Sequence, residues 1–578
     1  MADPQWRVPD VRVALVGVAI VFAWLWVGVS LYRVQVVESG QWAEYGAEQR
    51  VRSREIPAPR GTIYDRSGQA IAMSVAATDV IANPSEISDP AGVAQVLAPL
   101  LAMDVQDLET KLTGNAQYAM LTRRLDRVDA LEIEKLMDDL DIRGVYFRDQ
   151  PARVYPSEDF ASQVVGFVQA DTLEGLEGLE RLYDAELAGT PGYQTDERDP
   201  YGNPILQGDS EIIPAVPGVD IRTTLDPGIQ IAAQEALALA VEESSATAGW
   251  AVVLDVATGD VLAMATAPTF NLNDRTNVDR ETFRNRVVTD QFEPGSTLKV
   301  LTIAAAIEEG IVTPDTEFTL PATLEIARKK YSDVGRKDER VMSVRDIVAK
   351  SSNVGTITVQ QLLGNEKHWE YLNRIGLGRR TTSHIPGEVS GLLHPVKDWC
   401  DSVCGPSTGI GYRVNVTLLQ MAAVFATVAN DGVWIEPHVI DEEIFPDGTR
   451  TTFQPIERPV FSEETARTMR ELLAGVVEGG TGRRAAVEGY RVGGKTGTTQ
   501  KYLEAEGGYS DTAVVASFIG IAPIDNPRIV VAVVLDSPTG ERIEGDRAVS
   551  LSYGGVSAAP VFAAIVKAAM HGLGVPPE

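Results

Sequence analysis

Residues 292–307 read Phe292-Glu293-Pro294-Gly295-Ser296-Thr297-Leu298-Lys299-Val300-Leu301-Thr302-Ile303-Ala304-Ala305-Ala306-Ile307, a Pro-Gly turn that opens onto an apolar run. Val300, Ile303, Ala304 and Ile307 recur at helical spacing, so the run predicts a helix. Ser296 and Lys299 then share one helix face, which lets the lysine amine lie beside the serine hydroxyl. A serine hydroxyl attacks only as its proton leaves, and an amine held partly neutral by burial can take that proton. At the start of a helix, free backbone N–H groups also stabilise a developing oxyanion. Alone this tetrapeptide is a weak signal, because an N-cap serine followed by a solvated lysine spells the same letters.

Two further clusters follow it. Ser351-Ser352-Asn353 comes after a helical stretch at 344–349, and Lys495-Thr496-Gly497-Thr498 comes after Gly493-Gly494 near two C-terminal strands. S-x-x-K, an S-D-N-type triplet and K-T-G in this order are the signature of penicillin-binding proteins and serine β-lactamases. Each occurs once here, within one domain-sized segment, so three unrelated coincidences would be needed for the bland readings to hold together.

The chain around them has 578 residues, too many for one core, with 44% apolar and 23% charged residues, a globular composition. A formal net charge of −30 argues against nucleic-acid binding, which wants a basic surface. Residues 13–31 carry no charge, and Arg7 and Arg12 precede them while Arg33 follows. The run is long enough for a membrane-spanning helix with the N-terminus inside, and longer than the apolar core of a cleaved signal peptide, the rival reading with Gly28-Val29-Ser30 as its cleavage site. Cys400 and Cys404 lack further ligands nearby, so a zinc site is not expected; a short disulfide and two free thiols both remain open.

Between anchor and catalytic motifs, residues 57–68 are turn-rich, 89–140 look helical, and 199–204 form a loop. A boundary is expected near 214–218. Beyond it, 250–255 and 261–266 make a hairpin, and 514–521 with 529–535 supply two more strands. Strands at both ends of a helical segment predict an α+β domain with a mostly antiparallel sheet built from both ends.

The chain resembles the class B penicillin-binding proteins, membrane-anchored peptidoglycan D,D-transpeptidases, along nearly its whole length. Arg60-Gly61, Asp65-Arg66, Gly68, Arg153, Tyr155-Pro156, Gly178 and Glu180 look like the boxes of that family's non-catalytic N-terminal module. Thr408 to Val416, Gly493 to Thr498 and Tyr553-Gly554-Gly555 match its transpeptidase domain. Glu293, where elongation members usually carry proline, is closer to the septal, cell-division members. The resemblance implies an α+β fold with a cytoplasmic tail at 1–12, a transmembrane anchor at 13–33, an elongated mixed α/β pedestal at 34–215 and a penicillin-binding transpeptidase domain at 216–578, its antiparallel sheet flanked by helices.

It also implies chemistry. Ser296 is the expected nucleophile and Lys299 its base, Ser351 relays a proton to the leaving amine, and Asn353 holds Lys299 and the substrate backbone. Lys495, on an edge strand, attracts the terminal carboxylate of a D-Ala-D-Ala stem peptide and depresses the Lys299 pKa as a second cation. Thr496 and Thr498 bind the same carboxylate, Gly497 lets substrate or the facing helix approach, and the backbone N–H groups of Ser296 and Thr498 form the oxyanion hole. No cofactor or metal is expected. Expected partners are peptidoglycan stem peptides, β-lactams as inhibitors, the cytoplasmic membrane, a SEDS-family glycan polymerase and bitopic division proteins. An elongation-type transpeptidase, a β-lactamase or antibiotic sensor, and a non-catalytic divisome scaffold are the alternatives. Glu370 is read as a helix face rather than a deacylation base, and His384 and His394 as structural.

Overall fold

The structure, a computed structural model, describes residues 11–42, 45, 51–197, 205, 210–381, 384–400, 402–503, 507–545 and 547–577. The first ten residues of the expected tail and the loop expected at 199–204 lie outside them. Close packing divides the chain into two units, residues 1–58 with 190–216 and residues 59–189 with 217–578.

In the first unit, helix α1 (Val11–Tyr32) has 22 residues and buries none of them. At 1.5 Å per residue it reaches about 33 Å, enough to cross a hydrocarbon core. The same unit holds a three-stranded antiparallel sheet of Val51–Ile56, Gly192–Glu197 and Ser210–Ile213, in that order.

The second unit is organised by a five-stranded sheet. Its strands are β1 (Ala248–Asp255), β2 (Val261–Ala267), β3 (Gly493–Leu503), β4 (Gly508–Ala522) and β5 (Ile529–Asp536). The order is β2-β1-β5-β4-β3, with every neighbouring pair antiparallel. The hairpin at the start of the domain and the strands at its end thus join in one sheet, as the sequence predicts. Helices cover both faces, which is why the central strands read as unbroken apolar runs rather than alternating ones. The helices that matter for the site are α2 (Pro227–Ser244), α3 (Lys299–Glu308), α4 (Val344–Ala349), α5 (Asn353–Leu363), α6 (Cys404–Gly409), α7 (Leu418–Ala429), α8 (Glu463–Glu478) and α9 (Gly554–Gly572). Ala251, Val253, Val531 and Val533 pack with Leu237 of α2 and Phe562 and Ile565 of α9. Their strand neighbours Val252, Leu254, Val530 and Ala532 point the other way, into a core with Ile303 of α3, Phe425 of α7 and Leu473 of α8. α9 is long and apolar enough to pass for a membrane span, but two-thirds of its apolar window is buried inside the fold.

A second, mixed sheet carries the N-terminal module. Its order is Arg450–Thr452, Ile440–Ile444, Asp220–Thr223, Ile63–Tyr64, Ala70–Ala82 and Ala119–Asp126, with Val145–Val154 also pairing with Ala70–Ala82. Asp220–Thr223 runs parallel to Ile63–Tyr64 on one side and antiparallel to Ile440–Ile444 on the other. The stretch expected to be helical throughout 89–140 is helical only at Pro90–Leu97, Val105–Leu112 and Arg127–Asp139. The strand Ala119–Asp126 interrupts it, because pairing with Ala77–Ala82 and burial of Leu121 outweigh a leucine-and-charge texture that suits either structure.

The N-terminal sequence boxes meet in a buried ion cluster. Glu180, fully buried, receives Arg60 Nε at 2.6 Å on one carboxylate oxygen and Arg153 Nε at 2.6 Å on the other. Arg60 Nη1 also reaches Asp184 at 2.7 Å, and Arg153 Nη1 donates to the Gly61 carbonyl at 2.7 Å. Removing one partner of such a cluster strands the others without compensation. Glu180→Gln is therefore expected to cost about 3 kcal/mol of stability, read as a lowered midpoint in thermal or denaturant unfolding; an unchanged midpoint would show that the cluster contributes nothing net.

Candidate active site

The Pro294-Gly295 turn continues as one 3-10 turn, Gly295–Thr297, before α3 begins at Lys299. Ser296 therefore sits half-buried on the 3-10 turn, one turn ahead of the regular helix expected around it, while Lys299 opens α3 and is 3% exposed. The Ser296 N–H has no backbone acceptor among the described residues. The turn is held from behind: Gly295 N donates to Gly411 O at 3.0 Å, and Phe292 and Val416 exchange backbone bonds at 3.0 Å.

Ser351 lies between α4 and α5 in the left-handed region, φ 57°. That conformation is sparsely populated for non-glycine residues. Here the Ser351 carbonyl is a partner of Lys299, whose Nζ donates to Ser351 O at 2.7 Å and to Asn353 Oδ1 at 2.7 Å, with Ser351 Oγ at 3.3 Å. A neutral amine has two N–H donors and one lone pair. Both donors are used on these two carbonyl oxygens, so the lone pair is left for a hydroxyl proton. Burial pushes the Lys299 pKa down to about 7, against an opposing pull from the Asp333 carboxylate.

Lys495 is fully buried on β3, the edge strand of the five-stranded sheet, and its Nζ reaches Ser351 Oγ at 2.8 Å and Thr496 O at 3.1 Å. Burial first, and the nearby Lys299 second, push its pKa well down. Ser351 thus bridges two buried amines: Lys299 adds to the lowering of Lys495, whereas Lys299 is lowered by burial rather than by the second cation expected from the sequence. Gly497 faces the nucleophile turn. A Cβ there would stand 2.2 Å from Ser517 Oγ on β4 and 3.1 Å from Thr297 Cγ2, so a side chain would displace the Ser517 hydroxyl and crowd that turn. Strand alternation carries the threonine hydroxyls elsewhere. Thr496 Oγ1 pairs with Thr481 Oγ1 at 2.8 Å, and Thr498 Oγ1 donates to Gly497 O at 2.9 Å and accepts from Gly554 N at 3.1 Å. On the open side of β3, alternate backbone N–H groups have no ladder partner.

Asp333, which sequence reasoning missed, holds the second cluster in place. Its carboxylate accepts from Ser352 Oγ at 2.7 Å, Asn353 N at 2.6 Å and Val354 N at 3.0 Å, and pairs with Arg336 at 3.1 Å. It completes the N-terminus of α5 from a hairpin some twenty residues upstream, beyond any local capping pattern. Asp333→Asn is expected to cost about 2 kcal/mol, the loss of hydrogen bonds to a charged acceptor. Because the carboxylate favours the Lys299 ammonium, the same change should lower the Lys299 pKa and move the acid limb of any reaction that uses this amine as a base to lower pH. A pH profile that stays in place would refute this coupling.

Other sequence candidates fall away from this centre. Glu370 lies on the helix Asn365–Arg374 and pairs with Lys367 and Arg374. His394 O accepts from Trp369 and Trp399, and a ring nitrogen of His384 lies 3.2 Å from Tyr183 OH. Glu293 accepts from Arg413 N at 2.7 Å and Tyr509 OH at 2.9 Å. Cys400 and Cys404 are joined in a disulfide, with Cα atoms 5.2 Å apart, which closes the question their spacing left open.

The chain is similar to known proteins over most of its length. The family described as penicillin binding protein transpeptidase domain matches residues 249–567, and that described as penicillin-binding protein dimerisation domain matches residues 55–223. The chain is 35% identical over 571 residues to the probable peptidoglycan D,D-transpeptidase PenA of Neisseria meningitidis, covering 97% of this chain and 92% of that one. It is 30% identical over 561 residues to the peptidoglycan D,D-transpeptidase FtsI of Escherichia coli, covering 94% and 89%. The crystal structure of penicillin-binding protein 3 from Mycobacterium tuberculosis complexed with aztreonam superimposes with a TM-score of 0.71 at 30% identity, over 91% of this chain and 98% of that one.

Proposed function

The chain belongs to the class B penicillin-binding proteins, and from that premise we propose that it crosslinks peptidoglycan stem peptides during septal cell-wall synthesis through an acyl-enzyme on Ser296. It is a penicillin-sensitive peptidoglycan D,D-transpeptidase. The observation that carries the proposed mechanism is the buried Lys299 amine, its two donors spent on Ser351 O and Asn353 Oδ1 and its pKa depressed to about 7.

In this reading Ser296 Oγ attacks the carbonyl of the penultimate D-Ala as its proton passes to the Lys299 lone pair. The tetrahedral oxyanion is met by the Ser296 N–H and by the Thr498 N–H on the edge of β3. The stem's terminal carboxylate approaches Lys495. An anion there favours the Lys495 ammonium, which leaves Lys299 as the neutral member of the pair. The carbon–nitrogen bond to the terminal D-Ala then breaks, with a proton delivered to that leaving amine from Lys299 through Ser351. The amine of a second stem attacks the ester, forms the crosslinking amide and returns Ser296 with its proton. Thr496 and Thr498 contribute to carboxylate binding by exchanging their present hydroxyl partners.

Residues 13–33 anchor the protein once in the cytoplasmic membrane with the catalytic domain outside. Residues 34–215 act as the pedestal through which a SEDS-family polymerase and bitopic division proteins are engaged, and 216–578 as the transpeptidase domain. The septal assignment is supported by Glu293 and by the similarity to FtsI. Full-length protein given fluorescent penicillin tests the chemistry: a persistent adduct mapped to the Ser296 peptide is expected, and rapid turnover would point instead to a β-lactamase. A fluorescent fusion tests the location: midcell signal is expected, and uniform side-wall signal would favour the elongation type.

A further inference from the structure

The Cys400–Cys404 disulfide stands where another chemical group is missing. It joins the loop before α6 to that helix's first residue, and α6 is a poor helix by composition, Cys-Gly-Pro-Ser-Thr-Gly. Two glycines, a proline and six residues in all give little intrinsic helicity. Its N-cap, Val403, makes no side-chain capping bond.

Yet this short helix and the loop after it touch three walls of the catalytic centre. Thr302, on the nucleophile helix α3, donates to Gly409 O at 2.9 Å. Gly411 O receives Gly295 N at 3.0 Å, and a Cβ at Gly411 would stand 2.0 Å from Gly295 O, so the loop lies flush against the turn bearing Ser296. Ser407 Oγ meets Tyr331 OH at 3.0 Å and Lys329 Nζ at 3.2 Å, at the end of the hairpin that continues into Asp333. Two residues beyond Gly411, Arg413 N donates to Glu293 Oε1 at 2.7 Å. The segment 404–413 is thus the outer brace of the turn 293–296, and the disulfide fixes the end of that brace that has no cap.

We propose that Cys400 and Cys404 are a positioning pair for acylation: their disulfide holds the α6 brace against the nucleophile turn, and its reduction slows attack by Ser296. The inference rests on the reading of Ser296 as nucleophile. Cys404 is 2% exposed and Cys400 is exposed, so exchange begins at the Cys400 sulfur. A dithiol reductant gives its thiolate to that sulfur. The bond to Cys404 breaks, the second reductant thiol closes its own disulfide, and two electrons and two protons end on Cys400 and Cys404 as thiols. A disulfide-bearing oxidant runs the step backwards.

The test compares full-length oxidised protein with the same protein after dithiothreitol, using fluorescent penicillin. The second-order labelling rate is expected to fall about tenfold or more, while the final stoichiometry of label stays the same and oxidised glutathione restores the rate. Cys400→Ser and Cys404→Ser should each label at the slow rate and no longer respond to dithiothreitol. A merely structural disulfide would instead lower the fraction of protein that labels, with the remainder reacting at the original rate; that result, or equal rates before and after reduction, overturns the proposal. Failure of the oxidised protein to label at all would reject the nucleophile assignment, a separate outcome visible in the control.

Discussion

Ser296→Ala is expected to abolish covalent penicillin labelling and to lower transpeptidation at least about 10⁴-fold, some 5 kcal/mol of transition-state stabilisation. The size follows from the kind of group removed. In the proposed mechanism every other member of the centre lowers a barrier, but the oxygen of Ser296 is the atom that becomes acylated, and alanine offers no second nucleophile. The fold should tolerate the change. Ser296 is half-buried on a turn fixed by Gly295 N to Gly411 O and by the exchange between Phe292 and Val416, none of which uses the side chain. The variant should therefore keep its thermal midpoint and still slow non-covalent ligand exchange, and mass spectrometry should find no adduct. Stoichiometric adduct in this variant would move the nucleophile elsewhere.

Lys299→Met is expected to lower acylation by about 10³-fold or more while leaving Ser296 in place. Methionine fills most of the buried channel but provides neither lone pair nor donors, so Ser351 O and Asn353 Oδ1 lose their shared partner. The wild-type pH profile carries the same argument in another form. In its proposed role as base Lys299 works only when neutral, and burial lowers its pKa to about 7. The acylation rate should therefore rise with pH through about 7 and level off above it. A lysine at its ordinary value would keep the rate climbing to far higher pH. Lys495 titrates with Lys299 through Ser351, so the limb belongs to the pair rather than to one amine. A profile that rises only near the ordinary lysine range would show that the site does not depress Lys299.

The grouping of the candidate site residues was more legible than the pairing of the N-terminal strands, for a physical reason. Ser296 with Lys299, Ser351 with Asn353, and Lys495 with Gly497 each sit within four residues of one another, so local spacing places them on a turn, a loop and a strand. The sheet of β1 to β5 was also readable, since strands buried on both faces leave apolar runs. Asp333 was not, because it caps α5 across a hairpin and no local pattern links it to Asn353. The strand Ala119–Asp126 was hidden for the same reason: its leucines and arginines suit a helix until Ala70–Ala82 offers it an edge. The pairing of Cys400 with Cys404 depended on the path of the loop between them, which two cysteines in sequence do not specify.

The strand Asp220–Thr223 has a consequence for how the protein is made. It is clasped between Ile63–Tyr64, early in the chain, and Ile440–Ile444, far downstream of it. Synthesis runs from the N-terminus, so Ile63–Tyr64 is made long before Ile440–Ile444. Until residue 444 has emerged, the far edge of Asp220–Thr223 has no partner, and pairings over such separations form slowly. The waiting edge is open to wrong pairing for the whole of that interval, which makes the order of synthesis, as well as final stability, a determinant of correct assembly.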